Sequence, residues 1–339
     1  MAADLAKHTA LAAIQAQTLS VLAELLEPGT RVALVDYPNH ENAGDHLILL
    51  GQMKYLRELG VTVDYFGDIT RYDKSDLDHF VPEGPILIQG GGNFGDRWTE
   101  IEAFRERVIA ENHDRRIIQL PQTVEFGTAN GLAQAQDVVA AHPDMTILVR
   151  DHVGVELTRQ QFPTASVRFC PDCALGVGLL YPSKYDDPSV EVMYLRRGDS
   201  ESTGRGVALP GNVTHIASDW GLAALDKLKW WAYHLPGAVM RRVPLLRRPL
   251  YPLQHKLYMP MAELNVRSAQ KIIGQGRILL TDRLHATVLG MLMGHPVVAM
   301  DNANGKVSAI YRDYLGTIPG VFLADGANDA RDRVTGLLD

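Results

Sequence analysis

Short apolar runs alternate with helix-period stretches along most of this 339-residue chain, and that alternation leaves few folds open. In the first half the runs are Val32–Asp36, Val61–Tyr65, Pro85–Gln89, Arg116–Leu120 and Thr146–Val149. Each is followed by polar or glycine-rich residues and then a helical pattern. Repetition of this kind marks βα units wound around a parallel sheet, where ligands collect at the carboxyl ends of the strands. Leu180–Pro188 combines turn formers, prolines and charge, which predicts a boundary there. Beyond it the alternation restarts with Val190–Arg196, Asn212–Ala217, Arg277–Thr281, Pro296–Met300 and Gly320–Leu323. Helices are expected over Met261–Gln275, Leu284–Met293, Val307–Leu315 and the C-terminal end. The fold class predicted is α/β, with two Rossmann-like domains, residues 1–182 and 183–339, facing a cleft.

At 46% hydrophobic and 22% charged residues, each half has enough apolar side chains for its own core, so disorder is excluded. A net charge of -7 argues against nucleic acid as a partner; an anionic ligand must be met by local positive charge. The only cysteines, Cys170 and Cys173, form a single CPDC, read as two core-lining residues in a reducing compartment. With no second CxxC, HExxH or EF-hand pattern, no metal site is expected. Met1–Leu26 reads as an amphipathic helix and not a secretory leader, and no window is apolar enough to span a bilayer, which points to the cytoplasm.

The most informative chemistry lies in Thr281-Asp-Arg-Leu-His-Ala-Thr287, after an apolar run and before a helical pattern. A strand end leading into a helix start offers free backbone N–H groups and the positive end of the helix dipole, which together favour an anion. Arg283 adds a planar guanidinium and His285 a group that exchanges protons near neutral pH. Taken alone, the same residues also fit an arginine at a sheet edge and a satisfied core histidine. Asp301-Asn-Ala-Asn-Gly-Lys306 repeats the arrangement, with Lys306 at a helix start; Gly90-Gly91-Gly92-Asn93 and Asn42-Ala-Gly-Asp45 occupy strand ends in the first half. The glycines permit close backbone approach to a ligand or a tight crossover, and Asp45 is read as a helix N-cap.

In order and spacing these motifs resemble the polysaccharide pyruvyl transferase family, in its exopolysaccharide-biosynthesis branch. The matching pieces are NAGD at Asn42–Asp45, GGGNFGDRW at Gly90–Trp98, LPQTVEF at Leu120–Phe126, VRD at Val149–Asp151 and PD at Pro171–Asp172. YLRRGDSE at Tyr194–Glu201, TDRLHA at Thr281–Ala286 and DNANGK at Asp301–Lys306 complete them. The resemblance implies a GT-B-like fold, phosphoenolpyruvate as co-substrate and no resident cofactor, and a sugar acceptor carried in some cases on a lipid. It implies that Arg283 and His285 are the donor-binding and catalytic pair, with Lys306, Asn304 and Arg196 or Arg197 holding the donor. Asn42, Asp45, Gly91, Gly92, Asn93, Gln122, Glu125, Arg150 and Asp151 fall on the acceptor side. A nucleotide-sugar glycosyltransferase on the same scaffold is the competing reading.

Lys227–Tyr258 stands apart in an acidic chain: it carries seven lysines and arginines among aromatic and aliphatic residues and no acidic residue. Such a mixture suits the headgroup boundary of an anionic bilayer, at the inner face of the plasma membrane in this setting; it equally fits an insertion packed on the second domain.

Overall fold

The computed structural model describes residues 2–181, 184–198, 206–301 and 305–339. Helix α1 (Ala2–Ala23) leads into β1 (Arg31–Val35), α2 (Ala43–Glu58), β2 (Thr62–Gly67) and α3 (Lys74–Phe80). Next come β3 (Ile86–Ile88), β4 (Gly91–Phe94), α4 (Thr99–Glu111), β5 (Ile117–Val124), α5 (Ala129–Ala141), β6 (Met145–Val149), α6 (His152–Gln161) and β7 (Ser166–Phe169). These strands form one parallel sheet in the order β2-β1-β3-β5-β6-β7, with β4 alongside the later part of β5. The chain crosses to a second parallel sheet through a short turn at Cys173–Val177 and the Leu180–Pro188 stretch. That sheet holds β8 (Val190–Leu195), β9 (His215–Ser218), β10 (Gly276–Thr281), β11 (Val297–Met300) and β12 (Val321–Ala324), ordered β12-β11-β10-β8-β9.

Ten expected strands form within a few residues of their predicted ends, and two were missed. β4 reads as a loop because two glycines and an asparagine, three of its four residues, carry no β propensity; it is held by its partner β5. β7 is four residues long and contains Arg168, so its apolar signal is thin. β5 also runs past its expected end, through Pro121. A proline has no N–H for the ladder, and the pairing with β6 shifts register between Gln119 and Gln122 at that point. The first stretch of β5 therefore pairs with β3 and the second with β4.

Alternate residues of each strand face opposite layers, as the two-residue repeat requires. Leu34, Leu87, Ile118 and Leu148 of the first sheet join Met193, Leu279 and Val297 of the second in one continuous core. The outward residues Val35, Ile88, Ile117 and Ile147 pack under α4 and α5, and Val192, Ile278 and Val298 form a smaller outer core with Ala330 and Val334 of α11 (Gly326–Leu338). The shared core is organised around α2. Its N-cap is Asn42, whose Oδ1 accepts from Gly44 N–H at 3.1 Å while its Nδ2 donates to Asp45 at 2.7 Å; Asp45 completes the first turn and is not the cap. Further along α2, Gly51 lies against the Cys173 carbonyl so closely that a Cβ would sit 1.8 Å from its oxygen. Cys170 and Cys173 are buried free thiols, their ionisation pushed to higher pH by burial.

Between β9 and β10 the chain forms two long helices, α7 (Ala224–Arg242) and α8 (Arg247–Ile273). Pro236, Pro252 and Pro260 lie inside them, and prolines normally end helices, which is why only Met261–Gln275 looked helical. Gln254 accepts the Gly237 N–H at 2.7 Å, fastening one helix to the other beside Pro236. Through Lys227–Tyr258 the pair packs on the first half of the chain, while the end of α8 also packs on the second, where Ser268 donates to the Gly221 carbonyl at 2.6 Å. Tyr251 stacks on Phe80 and accepts from the Phe66 N–H, Tyr37 donates to the Tyr258 carbonyl at 2.8 Å, and Arg247 and Arg248 pair with Asp73 and Asp76. Following α9 (Leu284–Leu292) and β11, helix α10 (Lys306–Asp313) brings the chain back toward the same strand ends.

The Gly51 contact gives a direct test. Gly51→Ala forces α2 away from the turn that carries Asp172, and overpacking of this kind costs about 1–3 kcal/mol. A thermal melt is expected to show a transition several degrees below wild type.

Candidate active site

A cavity of about 390 Å³ lies over the carboxyl ends of the two sheets. From the first sheet come His40, Asn42 and Asp45 after β1, Gly92 and Asn93 on β4, Trp98 and Ile101 at the start of α4, and Arg150 after β6. From the second come Arg197 after β8, Asp219 and Trp220 after β9, Arg283, Leu284 and His285 after β10, and Lys306 opening α10. Three arginines and a lysine face two carboxylates, so the cavity is electropositive inside an acidic protein.

His285 is held from both sides. Its Nε2 is 3.2 Å from Asp172 Oδ2, and the same oxygen accepts from Arg150 Nη1 at 2.6 Å; Arg150 Nε donates to Thr123 Oγ1 at 2.9 Å. Asp172 Oδ1 accepts the Ala174 N–H at 2.8 Å. Burial alone raises a carboxyl's pKa, but here the charges of His285 and Arg150 and these hydrogen bonds outweigh it and hold Asp172 well below the usual carboxylate range. Nε2 lies between this acceptor at 3.2 Å and a donor, Arg150 Nη1, at 3.4 Å; an ionised carboxylate only accepts, so a proton on Nε2 serves the shorter contact. Nδ1 has no hydrogen-bond partner among the described residues and packs beside Gly44, where a Cβ would lie 2.9 Å away. Gly44 is thus the glycine of NAGD that the histidine requires.

Arg283 sits at the N-cap of α9 in extended backbone, leaving the first amides of that helix without intrahelical acceptors. Its guanidinium pairs with Asp219 at 2.6 Å and lies 5.8 Å from the Trp220 ring centre. Arg197 lines the cavity and its backbone N–H donates to Asp282 at 2.9 Å, whereas Arg196 is exposed and does not line it. Lys306 is buried, with Nζ 3.2 Å from the Gly92 carbonyl and 3.6 Å from Glu125, and a Cβ on Gly92 would come within 3.1 Å of Arg150 Nη2.

Several expected residues serve behind the cavity wall. Gln122 is fully buried and donates to Asn93 Oδ1 at 2.7 Å, orienting the asparagine that does face the space. Gly91 supplies backbone at φ 151°, a conformation suited to glycine. Glu125 bridges Arg97 and Lys306 outside the lining, and Asp151 caps α6 by accepting the Gly154 N–H at 2.6 Å. Asn304 lies outside the described residues, as do the last three residues of YLRRGDSE. Among the described residues no cluster of three or more His, Cys, Asp or Glu side chains is placed to hold a metal ion.

Sequence reading gave no role to Asp172, Asp219 or Asp36. Asp219 and Trp220 follow β9 directly, so the strand-end rule applied to β9 was the available signal. Asp172 stood inside the quoted PD, a lone carboxylate in an apolar run. Asp36 had the same strand-end signal: it follows β1 at φ 62°, accepts from Asn93 Nδ2 at 3.2 Å and lies 3.8 Å from the buried Arg105. Burial pushes its pKa up to about 7 against the opposing pull of Arg105 and Asn93.

The fold and cavity define a class: an α/β protein of two parallel sheets whose strand ends converge on an electropositive cavity with an anchored histidine. The polysaccharide pyruvyl transferase family matches residues 42–304, and the chain belongs to that family, which makes it a transferase. It is 26% identical over 319 residues to "Pyruvyl transferase 1" of Schizosaccharomyces pombe, covering 91% of this chain and 75% of that one. It is 24% identical over 324 residues to "Putative pyruvyl transferase EpsO" of Bacillus subtilis, covering 92% and 94%. A crystal structure of a functionally uncharacterized Klebsiella pneumoniae protein shares the fold, with a TM-score of 0.56, 18% identity and coverage of 92% and 99%.

Asp36 yields a pH test. Its folded pKa lies above the unfolded value, so its contribution to stability is fully present below about pH 4 and is lost as pH rises through about 7. Asp36→Asn, which tolerates the left-handed backbone, is expected to melt above wild type at pH 8 and to lose most of that advantage by pH 5. Equal differences at both pH values would contradict a raised Asp36 pKa.

Proposed function

We propose that the protein transfers the pyruvyl unit of phosphoenolpyruvate to a sugar diol, forming a cyclic ketal and releasing phosphate. The observation that carries this reading is the convergence of Arg197, Arg283 and Lys306, with Arg150, on the same cavity as His285, in a chain of this family. Phosphoenolpyruvate presents a carboxylate and a phosphate close together, so its site needs separate cations for each and an acid near the methylene carbon. The resemblance to GT-B-like enzymes fits donor binding over the second sheet and acceptor binding over the first, near Asn42, Asp45 and Asn93.

In this reading Arg283, Arg197 and Lys306 hold the two anionic groups, and the opening amides of α9 add donors. His285 as the imidazolium, oriented by Asp172 through Nε2, delivers its Nδ1 proton to the methylene carbon, and the resulting C2 cation is attacked by one sugar hydroxyl. The proton leaving that hydroxyl returns to the imidazole. The adduct then expels phosphate, and the second hydroxyl closes the ketal, its proton leaving with phosphate. The balance is phosphoenolpyruvate plus diol giving ketal plus inorganic phosphate. Arg150 neutralises Asp172, so that the carboxylate orients His285 without being the strongest charge in the site.

Incubation with phosphoenolpyruvate and a panel of nitrophenyl and lipid-linked hexosides is the test, read by phosphate release and by the mass of a pyruvyl ketal. A melting transition raised by a nucleotide-diphosphate sugar and not by phosphoenolpyruvate would instead identify a glycosyltransferase. His285→Ala is expected to lower kcat roughly 10²-fold or more with the melting transition retained, as for loss of a general acid. Arg283→Lys is expected to raise KM for phosphoenolpyruvate, since a point charge does not reproduce a two-pronged guanidinium contact; an unchanged KM would make Arg283 structural.

A further inference from the structure

Helix α7 buries one face and leaves the other without a partner. Trp230, Gly237 and Met240 point inward, and Trp230 packs edge-on against His46 of α2. On the opposite side Leu225, Leu228, Trp231 and Leu235 are 74%, 68%, 69% and 64% exposed. At 3.6 residues per turn they fall within about 120° of arc, a continuous apolar stripe. The stripe leads into the turn joining α7 to α8, where Val243, Leu245 and Leu246 are also exposed, Leu245 at 89%. Most of the large exposed hydrophobic side chains of the described protein lie in this one helical pair. Isolated exposed leucines need no explanation, but a stripe of this kind marks an interaction surface.

Charge narrows the choice of occupant. Lys227, Lys229, Arg241, Arg242 and Lys256 are exposed on the same helices, and no acidic residue occurs from Lys227 to Tyr258. Lys227 and Lys229 have acidic neighbours in Glu41 and Asp226, whereas Arg241, Arg242 and Lys256 make no ion pair among the described residues. Arg247 and Arg248 are spent on Asp73 and Asp76 and hold the hairpin to the first sheet. An apolar stripe with an exposed tryptophan, bordered by uncompensated cations in a chain of net charge -7, complements an anionic surface that accepts side chains into an apolar layer. No helix among the described residues is long and apolar enough to cross a membrane.

We propose that the exposed face of α7 and the Val243–Leu246 turn form a docking surface for an anionic lipid bilayer, with α7 lying in the plane of the headgroups. Leu228, Trp231 and Leu235 enter the acyl boundary while Arg241 and Arg242 meet anionic headgroups. The docked helix borders the active-site cavity, because Lys227 reaches Glu41 and His234 hydrogen-bonds Asn39, both on the loop that carries His40 and Asn42. The surface therefore sets the cavity beside the bilayer whatever the acceptor proves to be.

The test is sedimentation of the full chain with vesicles of phosphatidylglycerol in phosphatidylcholine, compared with phosphatidylcholine alone. Wild type is expected to pellet with the anionic vesicles, much less with the neutral ones, and to be released as salt screens the arginines. Leu228→Ser with Trp231→Ser and Leu235→Ser is expected to reduce the partition coefficient roughly tenfold or more with an unchanged melting transition. Arg241→Ser with Arg242→Ser is expected to abolish the preference for phosphatidylglycerol. Should the triple variant melt early, Trp231→Ser alone and the salt titration of wild type carry the same test. Wild type remaining in the supernatant with anionic vesicles, or a folded triple variant pelleting as wild type does, overturns the proposal. So does a wild-type dimer by light scattering that the triple change converts to monomer, because the occupant is then a second copy.

Discussion

Asp172 is a carboxylate with almost no access to water, and a charge in that position persists only if opposite charge and hydrogen-bond donors surround it. Those partners come from two different sheets. Arg150 reaches it from the end of β6 and His285 from the start of α9, while the turn that carries Asp172 donates the Ala174 amide. Ionisation of one buried group thus depends on the two sheets keeping their relative positions. The same contact fixes the tautomer and the orientation of the histidine in the cavity.

Helix α2 connects this cluster to the rest of the fold. Gly51 lets it lie directly on the Cys173 carbonyl, next to Asp172, and Gly44 lets its first turn lie against the His285 ring. Asn42 and Asp45 close that first turn and also face the cavity, so capping and lining are done by the same side chains. The histidine that follows them, His46, illustrates how strongly position decides chemistry. It is wholly buried beneath Trp230 and its pKa is pushed down to about 3 by burial and neighbouring histidines, which keeps it neutral in the core. His285, also a histidine at a helix start, borders open space and a carboxylate.

Most of the strands were legible because each carries a short cluster of apolar residues between turn formers, from Ile-Leu-Ile in β3 to Val-Met-Tyr-Leu in β8, a pattern that survives any rearrangement of the rest. β4 was not, because its residues are glycine, glycine and asparagine, and only pairing with β5 makes them a strand. The long helices α7 and α8 were obscured by three prolines whose missing hydrogen bonds are tolerated where the pair packs together and on the first sheet. The basic segment was visible from its composition alone, but its residues divide in a way that composition does not show. Arg247 and Arg248 are used internally, and Arg241 and Arg242 remain at the surface.

The sequence by itself determined the parallel α/β class, the strand-end positions of Arg150, Arg283, His285 and Lys306, and the glycine-rich turns opposite them, because local periodicity and turn chemistry act within a few residues. It did not separate Arg196 from Arg197, since neighbours on a strand end point to opposite sides and only the sheet's position says which side holds the cavity. Nor did it reveal that Glu125 and Asp151 are engaged in an ion pair and a helix cap while Asp172 and Asp219 hold His285 and Arg283. Apart from the Asp151 cap, which spans three residues, those assignments join positions 64 to 181 apart, such as Asp219 with Arg283 and Glu125 with Lys306. Tertiary structure decided them because a carboxylate's role depends on which cation the packing of two sheets brings within about 4 Å, and no local pattern encodes that distance.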